Sequence, residues 1–231
     1  MRYRTYEKNG RKGLAAKVGE AWRDLGERDL VELIRSGDVA DPDIAADAPH
    51  IDLGTVRLLP VIPRPGKIIC VGLNYVDHAA ESPYENVPEY PAFFPRFSTS
   101  LIADGAPMIR PGCSHELDFE GELAVVIGKT ARHVSEENAL DHVAGYSVFN
   151  DGSIRNYQFL SPQWTPGKNF DGTGAFGPEF VTADELPEGA RGLMLEVFLN
   201  GEKVQSASTG DMVFDVAALI AKASEFATLE P

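Results

Sequence analysis

The sequence predicts a mixed α/β fold that is predominantly β, with a small N-terminal domain over residues 1–62 and a larger, strand-rich domain over 63–231. Three observations carry this expectation. Strand-like segments recur after residue 66, at 67–72, 117–127, 145–150 and 193–199. Asn200-Gly201 follows the last of them, and both residues tolerate the positive φ of a tight hairpin. Near the end, Val216, Leu219, Ile220, Ala223 and Phe226 switch to helical spacing.

In chain order, the first 62 residues read as short strands and one helix around 29–34. Pro60, Pro63, Pro65 and Gly66 then cluster. Three prolines in that window favour an extended linker, since each fixes φ and removes a backbone donor. After the 67–72 strand, a polar turn and short helix are expected from Asn74 to about Glu81. The strand at 202–207 returns from the Asn200-Gly201 turn. The last helix is expected over 216–227, with Asp215 as its N-cap.

A chain of 231 residues can bury a sizeable core without disulfides or metals. Its 43% hydrophobic and 24% charged residues are globular values. The net charge of −14 comes with no basic stripe, which excludes nucleic acid as the expected partner. No apolar stretch reaches membrane-spanning length, so no membrane partner is expected either. The two cysteines, Cys70 and Cys113, offer neither a disulfide framework nor zinc spacing. The N-terminal MRYRTYEKNGRKG lacks the apolar core of a signal peptide. A reducing, cytoplasmic setting is the resulting expectation.

The chemistry concentrates in a few polar clusters. In His115-Glu116-Leu117-Asp118-Phe119-Glu120-Gly121-Glu122-Leu123, acidic and apolar residues alternate with period two. In a strand this puts Glu116, Asp118, Glu120 and Glu122 on one face. The segment runs on into Ala124-Val125-Val126-Ile127, apolar on both faces, so the carboxylates stand where the strand enters the core. Buried carboxylates need a counter-charge, and a hard divalent cation supplies one through oxygen ligands. A solvated acidic face fits the same spacing equally well. Asp151, at the end of the next strand, is the candidate third carboxylate, though Asn-Asp-Gly is also ordinary turn chemistry.

His78 and Glu81 stand three apart on the expected helix and can share a face and a water. Any surface ion pair shows the same spacing. Arg155 suits a bidentate grip on a carboxylate, with Gln158 close behind it. Lys168 lies in Thr165-Pro166-Gly167-Lys168-Asn169, expected as a loop because Gly and Pro crowd it. A lysine there can meet developing negative charge. Gly167, Gly172 and Gly174 match no nucleotide-binding fingerprint.

Taken in order, these segments resemble the fumarylacetoacetate hydrolase family. Gly72-Leu73-Asn74-Tyr75-Val76-Asp77-His78-Ala79-Ala80-Glu81 is similar to its G-x-N-Y-x-x-H-x-x-E segment. Asp118 to Lys129 resembles its metal-binding strand. Asn150-Asp151-Gly152-Ser153-Ile154-Arg155-Asn156-Tyr157-Gln158 resembles the segment of its third ligand. Gly167-Lys168-Asn169-Phe170-Asp171 and Phe176-Gly177-Pro178 resemble its lysine loop. The resemblance runs from about residue 60 to the end.

It implies Mg²⁺ or Mn²⁺, with Ca²⁺ possible in the same site, on Glu120, Glu122 and Asp151. It implies a catalytic His78–Glu81 dyad, a charge-stabilising Lys168, and substrate contact by Tyr75, Arg155 and Gln158. The implied activity is hydrolysis of a C–C bond in a 2,4-diketo acid through an enolate. Isomerisation of a 2-hydroxy-diene-dioate, or decarboxylation of a keto acid such as oxaloacetate, is the alternative; a non-catalytic metal-binding homologue is the rival of another class. A small keto acid is the expected partner, and a homodimer the expected assembly. Two departures stand out. Arg96 in Phe94-Pro95-Arg96-Phe97 replaces a lysine common in the family. Relatives also continue beyond the Thr228-Leu229-Glu230-Pro231 end with a strand and a Thr-Gly-Thr-Pro loop, so the C-terminal part of the fold is expected to be missing.

Overall fold

The computed structural model describes residues 1–75 and 89–231. The chain opens with an antiparallel meander of β1 (Arg2–Lys8), β2 (Arg11–Val18) and β3 (Ala21–Asp24). The β1–β2 turn is made by Asn9 and Gly10, both left-handed at φ +54° and +77°. Helix α1 (Leu30–Ser36) follows. Asp29 caps its start by accepting from the backbone N–H of Val31 and Glu32, and Gly37 ends it at φ +85°. Strand β4 (Arg57–Leu58) returns to β1.

Beyond the proline cluster come β5 (Ile68–Gly72) and β6 (Ala92–Arg96), paired antiparallel. Then follow β7 (Leu101–Ile102), β8 (Leu117–Asp118), β9 (Gly121–Ile127), β10 (Val143–Asp151) and β11 (Ser153–Ile154). Two single helical turns come next, α2 (Arg155–Gln158) and α3 (Thr165–Lys168). Strands β12 (Gly174–Phe176) and β13 (Phe180–Thr182) precede the hairpin of β14 (Met194–Leu199) and β15 (Glu202–Ser208). The last helix is α4 (Val216–Phe226). Among the described residues no helix is long and apolar enough to cross a membrane.

The main sheet runs β3-β2-β1-β13-β10-β12-β7, with β4 also on β1 and β9 also on β10. Residues 1–62 share it with the rest of the chain, because Arg2 and Tyr3 of β1 pair with Val181 and Phe180 of β13. The core is shared as well. Tyr3, Leu14, Leu33 and Ile34 pack in one cluster with Val126, Phe176 and Phe180. A second cluster joins Tyr146 to Val216, Ile220 and Ala223 of α4. Those three positions, four and three apart, form the buried stripe of a helix whose N-cap, Asp215, accepts from Ala218 N–H at 3.0 Å.

The mixed, mainly β fold is as the sequence predicts, and so is the hairpin turn, with Asn200 at φ +52° and Gly201 at +87°. Two local expectations are corrected. The single strand over 117–127 is two strands broken at Phe119-Glu120. There the backbone N–H of Phe119 turns onto Asp118 Oδ1, and that of Glu120 onto Asn150 Oδ1 at 3.1 Å, so side chains replace ladder partners. The lysine segment, expected as a loop, contains the helical turn α3. Pro166 sits in its first turn, where a missing N–H is harmless. The helix expected from Asn74 to Glu81 lies, beyond Tyr75, outside the described residues.

Candidate functional site

The break after β8 is what assembles the site. Antiparallel pairing sets Asn150 opposite Gly121 and Phe149 opposite Glu122. Asp151 N–H then donates to Glu120 O at 2.8 Å, which brings the two carboxylate-bearing residues side by side. Glu120 and Glu122, two residues apart, both line a cavity of about 1040 Å³. Asp151, Tyr75, Arg155, Gln158 and Lys168 line it as well. Glu116 is exposed and plays no part there.

Three cations meet these carboxylates. Lys168 Nζ lies 2.6 Å from Glu120 Oε2 and 2.8 Å from Asp151 Oδ2. Arg155 donates to Glu120 Oε1 at 2.5 Å, to Asp118 Oδ2 at 2.9 Å and to Gln158 Oε1 at 2.9 Å. Arg96 donates to Asp151 Oδ1. Each of Glu120 and Asp151 therefore gives one oxygen to an arginine and the other to the same lysine. Burial pulls the Arg155 guanidinium down, yet Glu120 and Asp118 hold it above its ordinary value.

Two glycines make this geometry accessible. A Cβ on Gly167 would meet the Gln158 backbone nitrogen at 2.4 Å, so glycine lets α3 press against α2. A Cβ on Gly72 would meet the Trp164 ring at 2.2 Å. That indole stacks edge-on against Phe94 at 5.6 Å, just ahead of α3, and Phe94 in turn lies 5.1 Å from Lys168 Nζ. Asn74 of the same motif is an anchor. Its amide donates to Phe214 O and accepts from Phe214 N–H, both at 2.9 Å, pinning the end of β5 to the start of α4.

Glu122 is the outlier in charge. Burial first, then the neighbouring Glu120 and Asp151, push its carboxyl up to about 8, with only Lys168 acting the other way. Asp118, Glu120 and Asp151 balance Arg96, Arg155 and Lys168, so the cluster is neutral only while Glu122 keeps its proton. Burial and then Glu122 also push Tyr75 up to about 12. The Cys70 thiol, on the same cavity wall, is raised chiefly by burial.

Among the described residues, no three carboxylate, histidine or cysteine side chains converge tightly enough to chelate an ion as they stand. Between Glu120 and Asp151 stands the Lys168 ammonium, which takes one oxygen of each. The donor set itself suits a hard divalent cation: all oxygen, with burial and the neighbouring carboxylates pushing Glu122 up to about 8 until positive charge meets it. His78 and Glu81 lie outside the described residues, and nothing is assigned to their geometry.

Residues 67–231 match the fumarylacetoacetate (FAA) hydrolase C-terminal family. The chain belongs to this family. The oxaloacetate tautomerase fahd2, mitochondrial, of Xenopus laevis is 43% identical over 76% of this chain and 55% of its own length. The chain thus spans about half the length of that relative. A solved fumarylacetoacetate hydrolase from psychrophilic Exiguobacterium antarcticum superposes with TM-score 0.87 at 35% identity, over 100% of this chain and 83% of that one. A maleylpyruvate hydrolase from Sphingobium sp. SYK-6, solved with manganese(II) ion and pyruvate, does so with TM-score 0.82 at 29% identity, over 100% and 85%.

The structure brings Glu120, Glu122, Asp151, Lys168, Arg155, Gln158 and Tyr75 to one cavity. Sequence reasoning did not assign a role to Arg96 or to Asp118. The period-two pattern holds Asp118 in view, since it carries the same alternation as Glu120. The sequence marks Arg96 only as a replacement for a lysine common in the family, with no partner assigned to it.

Proposed function

We propose that this fumarylacetoacetate hydrolase family member binds Mg²⁺ or Mn²⁺ on Glu120, Glu122 and Asp151 and interconverts the keto and enol forms of a small 2-keto dicarboxylate such as oxaloacetate. The carrying observation is the cavity end where Lys168 Nζ lies 2.6 and 2.8 Å from the Glu120 and Asp151 carboxylates, with Glu122 lining the same cavity. The name of the 43% identical Xenopus relative supports the choice of reaction.

When bound, a divalent cation acts as a Lewis acid toward the 2-keto oxygen. The remaining work falls to side chains. Lys168 presents positive charge where the enolate oxygen gains negative charge. Arg155 and Gln158, on one turn of α2, flank a substrate carboxylate, which competes with Glu120 and Asp118 for the guanidinium. Tautomerisation removes a proton from the carbon next to the carbonyl and returns one to the oxygen, with no water consumed. His78 and Glu81 are the proposed base for that carbon.

The second reading is C–C bond hydrolysis of an acylpyruvate-type diketo acid. A cavity of about 1040 Å³ leaves room for a larger distal group than oxaloacetate carries, and the maleylpyruvate hydrolase neighbour supports it. Loss of enol absorbance on adding oxaloacetate enol, with ¹³C NMR of the products, separates the readings. Metal-dependent acceleration with no pyruvate formed is expected, and Glu122→Gln should lose it. Pyruvate plus a free acid from an acylpyruvate would move the assignment to hydrolysis. A rate equal to that of metal in buffer would refute both.

A homodimer is proposed on the exposed Met194, Phe198 and Leu199 of β14, with sedimentation as the check. A cytoplasmic location is proposed on the two free cysteines, with fractionation of tagged protein as the check.

A further inference from the structure

We propose that Arg96 is a positioning residue that fixes Asp151 for the metal; this rests on the reading of Asp151 as a ligand. Arg96 ends β6, and its side chain has 0% exposure. Every nitrogen of the guanidinium is engaged. One terminal nitrogen donates to Asp151 Oδ1 and, at 3.1 Å, to Gly152 O. The other donates to Thr173 Oγ1 at 2.9 Å, and Nε to Ser100 Oγ at 3.3 Å. The group also lies 5.4 Å from the Phe149 ring centroid.

Such a buried cation is tolerated only when its donors are met, and here four acceptors from three parts of the chain take four of its five N–H groups. The chain makes room for it. A Cβ on Gly174 would stand 2.9 Å from one terminal nitrogen of Arg96 and 3.0 Å from Phe149 Cζ, so a side chain there would crowd both groups.

The consequence falls on Asp151. With Oδ1 held by Arg96, the carboxylate cannot rotate, and Oδ2 points at Lys168 Nζ, 2.8 Å away on the cavity side. In the proposed site, that is the oxygen that would be offered to a metal. A lysine, common at this position in the family, would keep the charge but not the geometry of this pocket. Its ammonium has three tetrahedral donors on a shorter reach, whereas the planar arginine here spans Asp151, Gly152 and Thr173 together. Partners that orient ligands typically change metal affinity by about 10- to 100-fold when removed.

The test is Mn²⁺ binding by calorimetry and by the EPR spectrum of the bound ion, with no substrate present. Wild type, Arg96→Lys, Asp151→Asn and Arg4→Lys are compared, with circular dichroism to confirm folding. Arg4 pairs with Glu179 away from the cavity and reports the generic effect of losing an arginine. Arg96→Lys is expected to weaken Mn²⁺ binding by about 10- to 100-fold and to broaden the EPR lines, while Arg4→Lys changes neither. A folded Arg96→Lys with wild-type affinity and spectrum overturns the proposal, as does an equal loss in Arg4→Lys. If Arg96→Lys does not fold, Gly174→Ala decides. It keeps the charge but crowds the guanidinium, and unchanged Mn²⁺ affinity there overturns the proposal. Wild-type binding by Asp151→Asn instead sinks the metal assignment on which the proposal rests.

Discussion

Replacing Lys168 by methionine separates the charge it supplies from the space it fills. Its side chain is 3% exposed and bridges Glu120 and Asp151, which are 17% and 5% exposed. Breaking a buried ion pair by removing one partner costs about 3–5 kcal/mol. Arg155 still faces Glu120 and Arg96 still faces Asp151, so the loss belongs at the lower end, about 3 kcal/mol. A divalent cation taking the same two oxygens restores the missing charge. At about 100 times its dissociation constant it returns about 2.7 kcal/mol. Because it no longer displaces an ammonium, Mn²⁺ should bind the variant more tightly than wild type, while turnover is lost. Urea unfolding in chelator and in Mn²⁺, with calorimetric titration of both proteins, reads all of this. A variant as stable as wild type in chelator, or one that binds Mn²⁺ more weakly, would refute the reasoning.

Two further outcomes follow from the same geometry. Glu122, pushed up to about 8, carries its proton at pH 7, and a metal must bind the carboxylate. The metal-bound form holds fewer protons, so raising pH favours it. Affinity should climb roughly tenfold per pH unit up to about 8 and level off above. Binding heats at pH 7 measured in buffers of different ionisation enthalpy should reveal nearly one proton released, and heats independent of buffer would contradict this. Separately, Gly167→Ala places a methyl 2.4 Å from the Gln158 backbone, which cannot yield cheaply. It should cost about 1–3 kcal/mol and lower kcat by moving Lys168 off Glu120; thermal unfolding and enol kinetics check it, and unchanged values would mean that α2 and α3 shift freely.

How much of this the sequence revealed depended on how local each cause is. The Asn200-Gly201 turn and the stripe of α4 are set by neighbouring residues, and both were read directly. Asn9-Gly10 carries the same turn chemistry and was equally open to reading. The acidic strand was half read. Alternation placed Glu120 and Glu122 together, but the break at Phe119-Glu120 depends on Asn150, 30 residues on. The helical turn of α3 was misjudged because Gly and Pro count against helix in isolation. Here they serve its first turn and its contact with Gln158.

The cations were the least visible part, and their physics explains why. A carboxylate cluster announces itself by spacing along one strand, whereas its counter-charges arrive from wherever the fold brings them. Arg96 reaches Asp151 across 55 residues, and Lys168 reaches Glu120 across 48. The family resemblance marks Arg96 only as a replacement for lysine; its partners appear only in the four converging acceptors and the empty Cβ position of Gly174. The balance they strike decides the chemistry. Three cations face three carboxylates, while burial and the neighbouring Glu120 and Asp151 push Glu122 up to about 8, so a divalent cation binding there should displace its proton.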